Sequence, residues 1–175
     1  MGILSGNPKD EPMHYGEVFG TWAFLTTTKG LIACHQTMLN HTGDKDLHKL
    51  LVEVINQGKQ EHDQLESLLK ENNVGLPPSP PERPKANLED IPVGARLQDP
   101  EISASVSIDI NAGLVACSQM MGQCIREDIA QMFAQFHMNK AALGADFLRL
   151  NKEKGWLVPP PLHINKTINP LNHVL

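Results

Sequence analysis

No run of basic residues occurs in this sequence. Its fifteen lysines and arginines are scattered and outnumbered by twenty acids, which leaves a net charge of −5. A nucleic acid or an anionic membrane surface recruits a basic patch, so neither is expected as a partner. No stretch approaches the roughly 18 consecutive apolar residues of a membrane span. Cysteine is scarce: Cys34, Cys117 and Cys124 are odd in number and form no CxxC pair. They read as buried free thiols of a reducing compartment. The opening MGILSGNPKDEP has no basic segment followed by an apolar core, as a signal peptide would, and Gly6 stands where a myristoylation signal needs Ser or Thr. The sequons at Asn40 and Asn165 need a secretory route that nothing else supports. The chain is therefore read as cytoplasmic. GxSxG, P-loop and GxGxxG motifs are missing too, so neither a serine nucleophile nor a nucleotide is called for.

What is present is helical periodicity. The chain has 175 residues, of which 41% are apolar, enough for one domain over 1–175 with a core of its own. A first helix is expected over about 12–41, with Pro12 at its first turn and Val18, Trp22, Leu25, Ile32 and Leu39 on one stripe. Gly43 then reads as a stop and Asp44 as the next N-cap. A second helix over about 45–72 carries the clearest stripe, through Leu47, Leu51, Val54, Gly58, His62, Leu65 and Leu69. The turn between them is so short that the two must pack antiparallel.

Residues 73–100 lose all periodicity, and seven of the 25 residues from Leu76 to Pro100 are proline. Interspersed Leu76, Leu88, Ile91, Val93 and Leu97 favour docking over a floppy linker. Helical patterning then returns over some 54 residues, about 80 Å if unbroken. One rod of that length would bury little, so a break is expected at Gly122-Gln123-Cys124, giving helices over about 101–122 and 126–154 and a tail over 155–175. A hairpin has no use for a 28-residue connection. A chain that returns along the whole bundle does, so the fold class is all-α: a four-helix bundle of ferritin-like topology, two antiparallel hairpins joined by a long proline-rich crossover.

Di-metal bundles of that topology place inward Glu and Glu-x-x-His on facing helices. A pair of Glu-x-x-His motifs is missing here, and the nearest fragments are His14-x-x-Glu17, Glu61-His62 and Glu127-Asp128. Counting residues from the turns brings Glu17, His62 and Glu127 or Asp128 to one end of the bundle, with Glu66 one turn from His62. Imidazole with carboxylates suits Fe, Mn or Zn. The alternative is that His62 is a core histidine bonded to a neighbour, that the acids are solvated, and that no cofactor is held. His35 and His137 lie beside apolar stripes and admit the same two readings. Gly58 and Gly113 mark where missing side chains leave room for a small-molecule pocket.

The strings NPKDEPMHYGEVFGTW, NHTGDKDL, LPPSPPERPKANLEDIPVGAR, NAGLVACSQMMGQCIREDIAQMF and RLNKEKGWLVPPP resemble a domain family of Bacillus and its relatives that is similar to spore coat protein F and placed among ferritin-like bundles. The likeness runs from about Pro8 to His163. It implies a structural or interaction protein of the spore coat, with other coat proteins as partners and no established catalytic residues. Many relatives carry two copies of the module. This chain carries one, which together with Trp22, Trp156 and the apolar tail implies a homodimer. The second reading is a divergent metal-binding bundle using Glu17, His62, Glu66, Glu127 and Asp128.

Overall fold

The computed structural model describes residues 10–161 and 163. Four helices make up the bundle: α1 (Tyr15–His41), α2 (Lys45–Glu71), α3 (Asp99–Gln123) and α4 (Glu127–Glu153). Two short 3-10 turns, Leu88–Asp90 and Val93–Ala95, lie between α2 and α3. The expected helices are all there, with no end shifted by more than three residues. The first helix starts at Tyr15 because His14 caps it. The His14 Nδ1 accepts from the Gly16 and Glu17 amides at 2.9 and 3.4 Å, and the Glu17 carboxylate accepts from the His14 amide at 3.0 Å. Asp44 caps α2 as expected, accepting from the amides of Asp46 and Leu47. Gly43 is not the left-handed stop that its position suggested; that conformation falls to Asn73, beyond α2, and to Gly155, beyond α4. The third helix begins two residues early because Gln98 and Glu101 form a capping box, with Pro100 in the first turn.

The proline-rich segment is a strap that climbs the outside of α1. The Trp22 indole N–H donates to the Gly75 carbonyl at 3.0 Å, and the Lys29 ammonium donates to the Pro77 carbonyl at 2.8 Å. Higher up, the Arg83 amide donates to the Gln36 side chain, and Asn40 brackets the strap between the Pro84 carbonyl and the Ala86 amide. Trp22 and Asn40 are 18 helical residues apart, about 27 Å. The strap covers that height between Gly75 and Pro84, nine residues at about 3.1 Å each, which is the rise of a polyproline II chain. Proline thus supplies stiffness matched to the span.

At the top the strap is fastened. The Leu97 amide donates to the His41 ring, and the Asp99 carboxylate accepts from the Thr42 hydroxyl at 2.7 Å and the Gly43 amide at 3.1 Å. The third helix therefore starts beside the α1–α2 turn and runs parallel to α2. α1 packs on α2 and α3, while α4 packs on α3 and α2. α1/α4 and α2/α3 are the diagonals.

The core is built in two storeys. The upper one gathers Leu47, Leu51, Ile102, Val106, Phe147 and their neighbours, with Trp156 packed against it. The lower one gathers Leu25, Leu65, Leu69, Phe133 and Phe136 with Cys117, and Trp22 packs there. Phe24 meets the Phe133 ring edge-on at 5.1 Å, and Phe133 meets Phe136 likewise at 5.7 Å. Both tryptophans are thus half-buried against the protomer's own core. The tail expected to pack back on the bundle lies outside the described residues from Ile164 on.

Asp99 is the fastening that joins strap, turn and third helix. Asp99→Ala is expected to cost about 1–2 kcal/mol in urea unfolding, the worth of a charge-assisted pair at a half-buried site.

Candidate functional site

Between the two storeys the bundle has a polar waist. Glu61 of α2 is only 2% exposed, and both of its carboxylate oxygens accept from the Lys140 ammonium of α4, at 2.9 and 2.7 Å. Gln57 donates to the same carboxylate at 3.0 Å, and the ammonium lies 5.6 Å from the centre of the Phe24 ring. Across the waist, the buried His35 ring of α1 meets the Asp109 carboxylate of α3 at 3.1 Å. Burial lowers the His35 pKa, with Asp109 opposing it. Lys140 reaches the waist under α3 because Gly113 has no side chain; a Cβ there would stand 2.8 Å from the lysine Cδ.

A metal site at the waist would need these same groups. The geometry does not suit one: the ammonium already occupies both oxygens of Glu61, the fully buried carboxylate of the waist. Among the described residues, no three His, Cys, Asp or Glu side chains gather into a group that could hold a metal ion.

The five residues singled out in the sequence fall into separate places. Glu17 is fully buried at the lower end, where one of its oxygens accepts from the amides of Ile125 and Arg126 at 2.8 and 2.9 Å. It caps the turn between α3 and α4 from across the bundle. Asp128 is close by, but its carboxylate takes a two-pronged bond from the Arg126 guanidinium at 3.1 and 2.7 Å. That bond holds its pKa below the usual carboxylate range. The guanidinium also donates to the Glu11 carbonyl and the Asn72 side chain, so it latches α4 to the end of α2. Glu127 is exposed at the first turn of α4.

His62 and Glu66 do come together, 3.1 Å apart on α2. Their setting is a charge cluster beneath the strap: Glu66 also pairs with the buried Lys29 at 2.9 Å and with Lys70 at 2.8 Å. The Lys70 and Lys29 ammonium groups hold its pKa down to about 2. The height-matching that set His62 opposite Asp128 is off by about three turns. Arg126 bonds Asn72 and Lys140 bonds Glu61, so residue 61 is level with residue 140. Part of that is the third helix starting two residues earlier than expected, an offset that the next turn doubles. Counting along helices also carries no information about rotation around them.

The room expected near Gly113 is present, on the side of α1 away from the strap. A groove of about 870 Å³ runs between α1 and α3. Its walls are of small residues: Gly16, Gly20 and Ala23 on one side, Ala112, Gly113 and Ala116 on the other. Phe24, Met120 and Lys140 also line it, with Asp109 at its upper part and His14 and Gln123 at the lower. Gly58 belongs to a smaller hollow at the waist, where Ile32 takes up much of the space that a side chain would use.

The thiols offer no activated nucleophile. Burial pushes Cys117 up to about 12 and Cys124 up to about 11, and Cys34 is raised by burial and by Asp109. Cys34 departs from the expectation of three buried thiols, since it is exposed on α1. Lys29, Asp109 and Lys140 were not singled out from the sequence. Each is nonetheless conspicuous in it: Lys29 is the only Lys or Arg between Pro12 and Gly43, and Asp109 the only acid between Ile102 and Ile125. Lys140 interrupts an apolar stripe from Phe136 to Leu143.

These features define a four-helix bundle whose buried charges are consumed in holding its own helices together, with an open apolar groove along one side. The chain belongs to the family described as Protein of unknown function (DUF3231), whose model matches residues 1–168. It is 60% identical over 166 residues to the uncharacterized protein YvdQ of Bacillus subtilis (strain 168), covering 95% of this chain and 98% of that one. It is also similar to the 1.54 Å crystal structure of a putative spore coat protein of Bacillus halodurans C-125. That match has a TM-score of 0.89 and 60% identity, covering 91% of this chain and all of the other.

Removing the cation from the waist would strand a buried carboxylate. Lys140→Met is expected to destabilise the fold by about 3–5 kcal/mol in urea unfolding, and the double variant Glu61→Leu with Lys140→Met to recover most of that loss.

Proposed function

We propose that this protein is a structural building block of a bacterial spore coat, working through its surface and not through catalysis. One observation carries the reading: 60% identity, across 91% of this chain and the whole of the other, to a Bacillus halodurans protein described as a putative spore coat protein. The interior chemistry agrees with it. The buried carboxylates Glu17 and Glu61 are spent on backbone amides and on an internal lysine, which suits stability better than turnover. By its single end-to-end crossover we group it with ferritin-like bundles. It departs from the iron-oxidising ones in lacking a pair of Glu-x-x-His motifs: the one present, Glu11 to His14, lies ahead of α1, and its His14 ring caps that helix. Other coat proteins, and a second copy of the chain, are the partners that this role implies. No helix among the described residues is long and apolar enough to cross a membrane.

The reading is tested by a fluorescent fusion of the whole chain expressed during sporulation of Bacillus subtilis. A ring of signal around the developing spore, with the protein recovered in coat extracts, is the expected result. Diffuse cytoplasmic signal and absence from the extracts would contradict it.

A further inference from the structure

The two helices that border the groove have an unusual outer surface. None of the exposed residues of α1 is charged, and from Ala104 to the end of α3 none is charged there either. The charged residues of α1, Glu17 and Lys29, are buried and paired inside, and Asp109 of α3 is tied to His35. By contrast, α2 alone displays eight exposed Asp, Glu and Lys residues. Large apolar side chains stand out along the charge-free face: Tyr15 is 94% exposed, Phe19 71%, Ile108 68% and Val115 64%. A surface helix ordinarily turns charged and polar residues to solvent. In this protomer α1 and α3 are covered on all sides but this one.

We infer that the α1–α3 face is the docking surface for a second copy of this chain, paired about a two-fold axis. The inference deepens the building-block reading and rests on it only for what the dimer is used for. Three observations select a copy of the chain over other occupants.

The first is shape. An isologous interface needs a protrusion and a recess on the same surface, each fitting the other's counterpart. Tyr15 and Phe19, four residues apart and so stacked on one side of α1, form the protrusion. The groove of about 870 Å³ beside them is the recess.

The second is charge. Two chains of net −5 repel wherever their acids face each other. The charges on this face, Lys140 and Asp109 in the groove, are each tied to a partner inside the protomer, Glu61 and His35, and α2 is left outward to keep the dimer soluble. A lipid surface would call for exposed lysine or arginine flanking the apolar strip, and neither α1 nor α3 has one.

The third is area. Two neighbouring helices of about 27 residues make a face about 40 Å long and about 20 Å wide, some 800 Å². That is the area each partner contributes to a stable interface of ordinary size.

The experiment is light scattering coupled to gel filtration on the full chain at about 10–100 µM. The expected mass is twice the 19.3 kDa of one chain. Phe19→Glu and Val115→Arg should each weaken the dimer at least about 100-fold. Both should leave the helical circular dichroism and the unfolding transition intact, since both side chains are mostly in solvent in the single protomer. Leu148→Glu, on the exposed side of α4, should leave the dimer unchanged. A wild-type mass of one chain across that range would overturn the inference. So would a dimer that survives both α1–α3 variants, or a monomer found by native mass spectrometry to carry an apolar small molecule. A monomer that still forms the ring at the spore would sink the dimer and leave the coat reading standing. A dimer that stays diffuse in the cell would do the reverse.

Discussion

The rest of the bundle depends on the strap and its fastening to α1. An up-down-up-down chain with short loops would set α1 and α3 parallel, on a diagonal. Here the chain leaves α2 at the bottom and is carried to the top before α3 begins, held by Lys29 to Pro77 and by Asn40 to Pro84 and Ala86. The consequence is that α1 and α3 are antiparallel neighbours. These are the two helices with no exposed charge over nearly their whole length. On a diagonal their bare faces would look in opposite directions; side by side they merge into one. The strap is thus the local cause of a continuous uncharged surface.

Inside, the same topology decides which charges meet. Neighbours α2 and α4 share Glu61 and Lys140, and neighbours α1 and α3 share His35 and Asp109. A buried ion pair such as Glu61–Lys140 adds little net stability over apolar packing, but it and the His35–Asp109 hydrogen bond penalise any register that would separate the partners. With the latch of Arg126 at the lower end and Lys154 bonded to Asp44 and Asp46 at the upper, the helices are pinned at three heights. Such a fixed outline suits the proposed role of a building block.

Much of this was legible in the residues. The stripe from Leu47 to Leu69, the Asp44 cap and the proline-laden middle were enough to give four helices, their boundaries within a few residues and the direction of the crossover. The site was not legible to the same degree. His62 sits on an apolar stripe, yet its ring lies toward Asp63 and Glu66 at the edge of the strap. Periodicity places a residue on a face but does not say which other helix that face meets. Glu17 was picked for metal chemistry because of its neighbour His14. Its oxygen goes instead to the amides of Ile125 and Arg126, a contact 108 and more residues away that no local pattern encodes. The pocket residue Gly113 could be read because a missing side chain is a local fact.

The central claim is that the working surface of this protein is the merged face of α1 and α3. Methyl NMR on the full chain, followed from high to low concentration, addresses it most directly. The account predicts that the methyl signals of Ile108 and Val115 move with dilution while that of Leu148 on α4 stays in place. Signals of Ile108 and Val115 that stay fixed while Leu148 moves would contradict it.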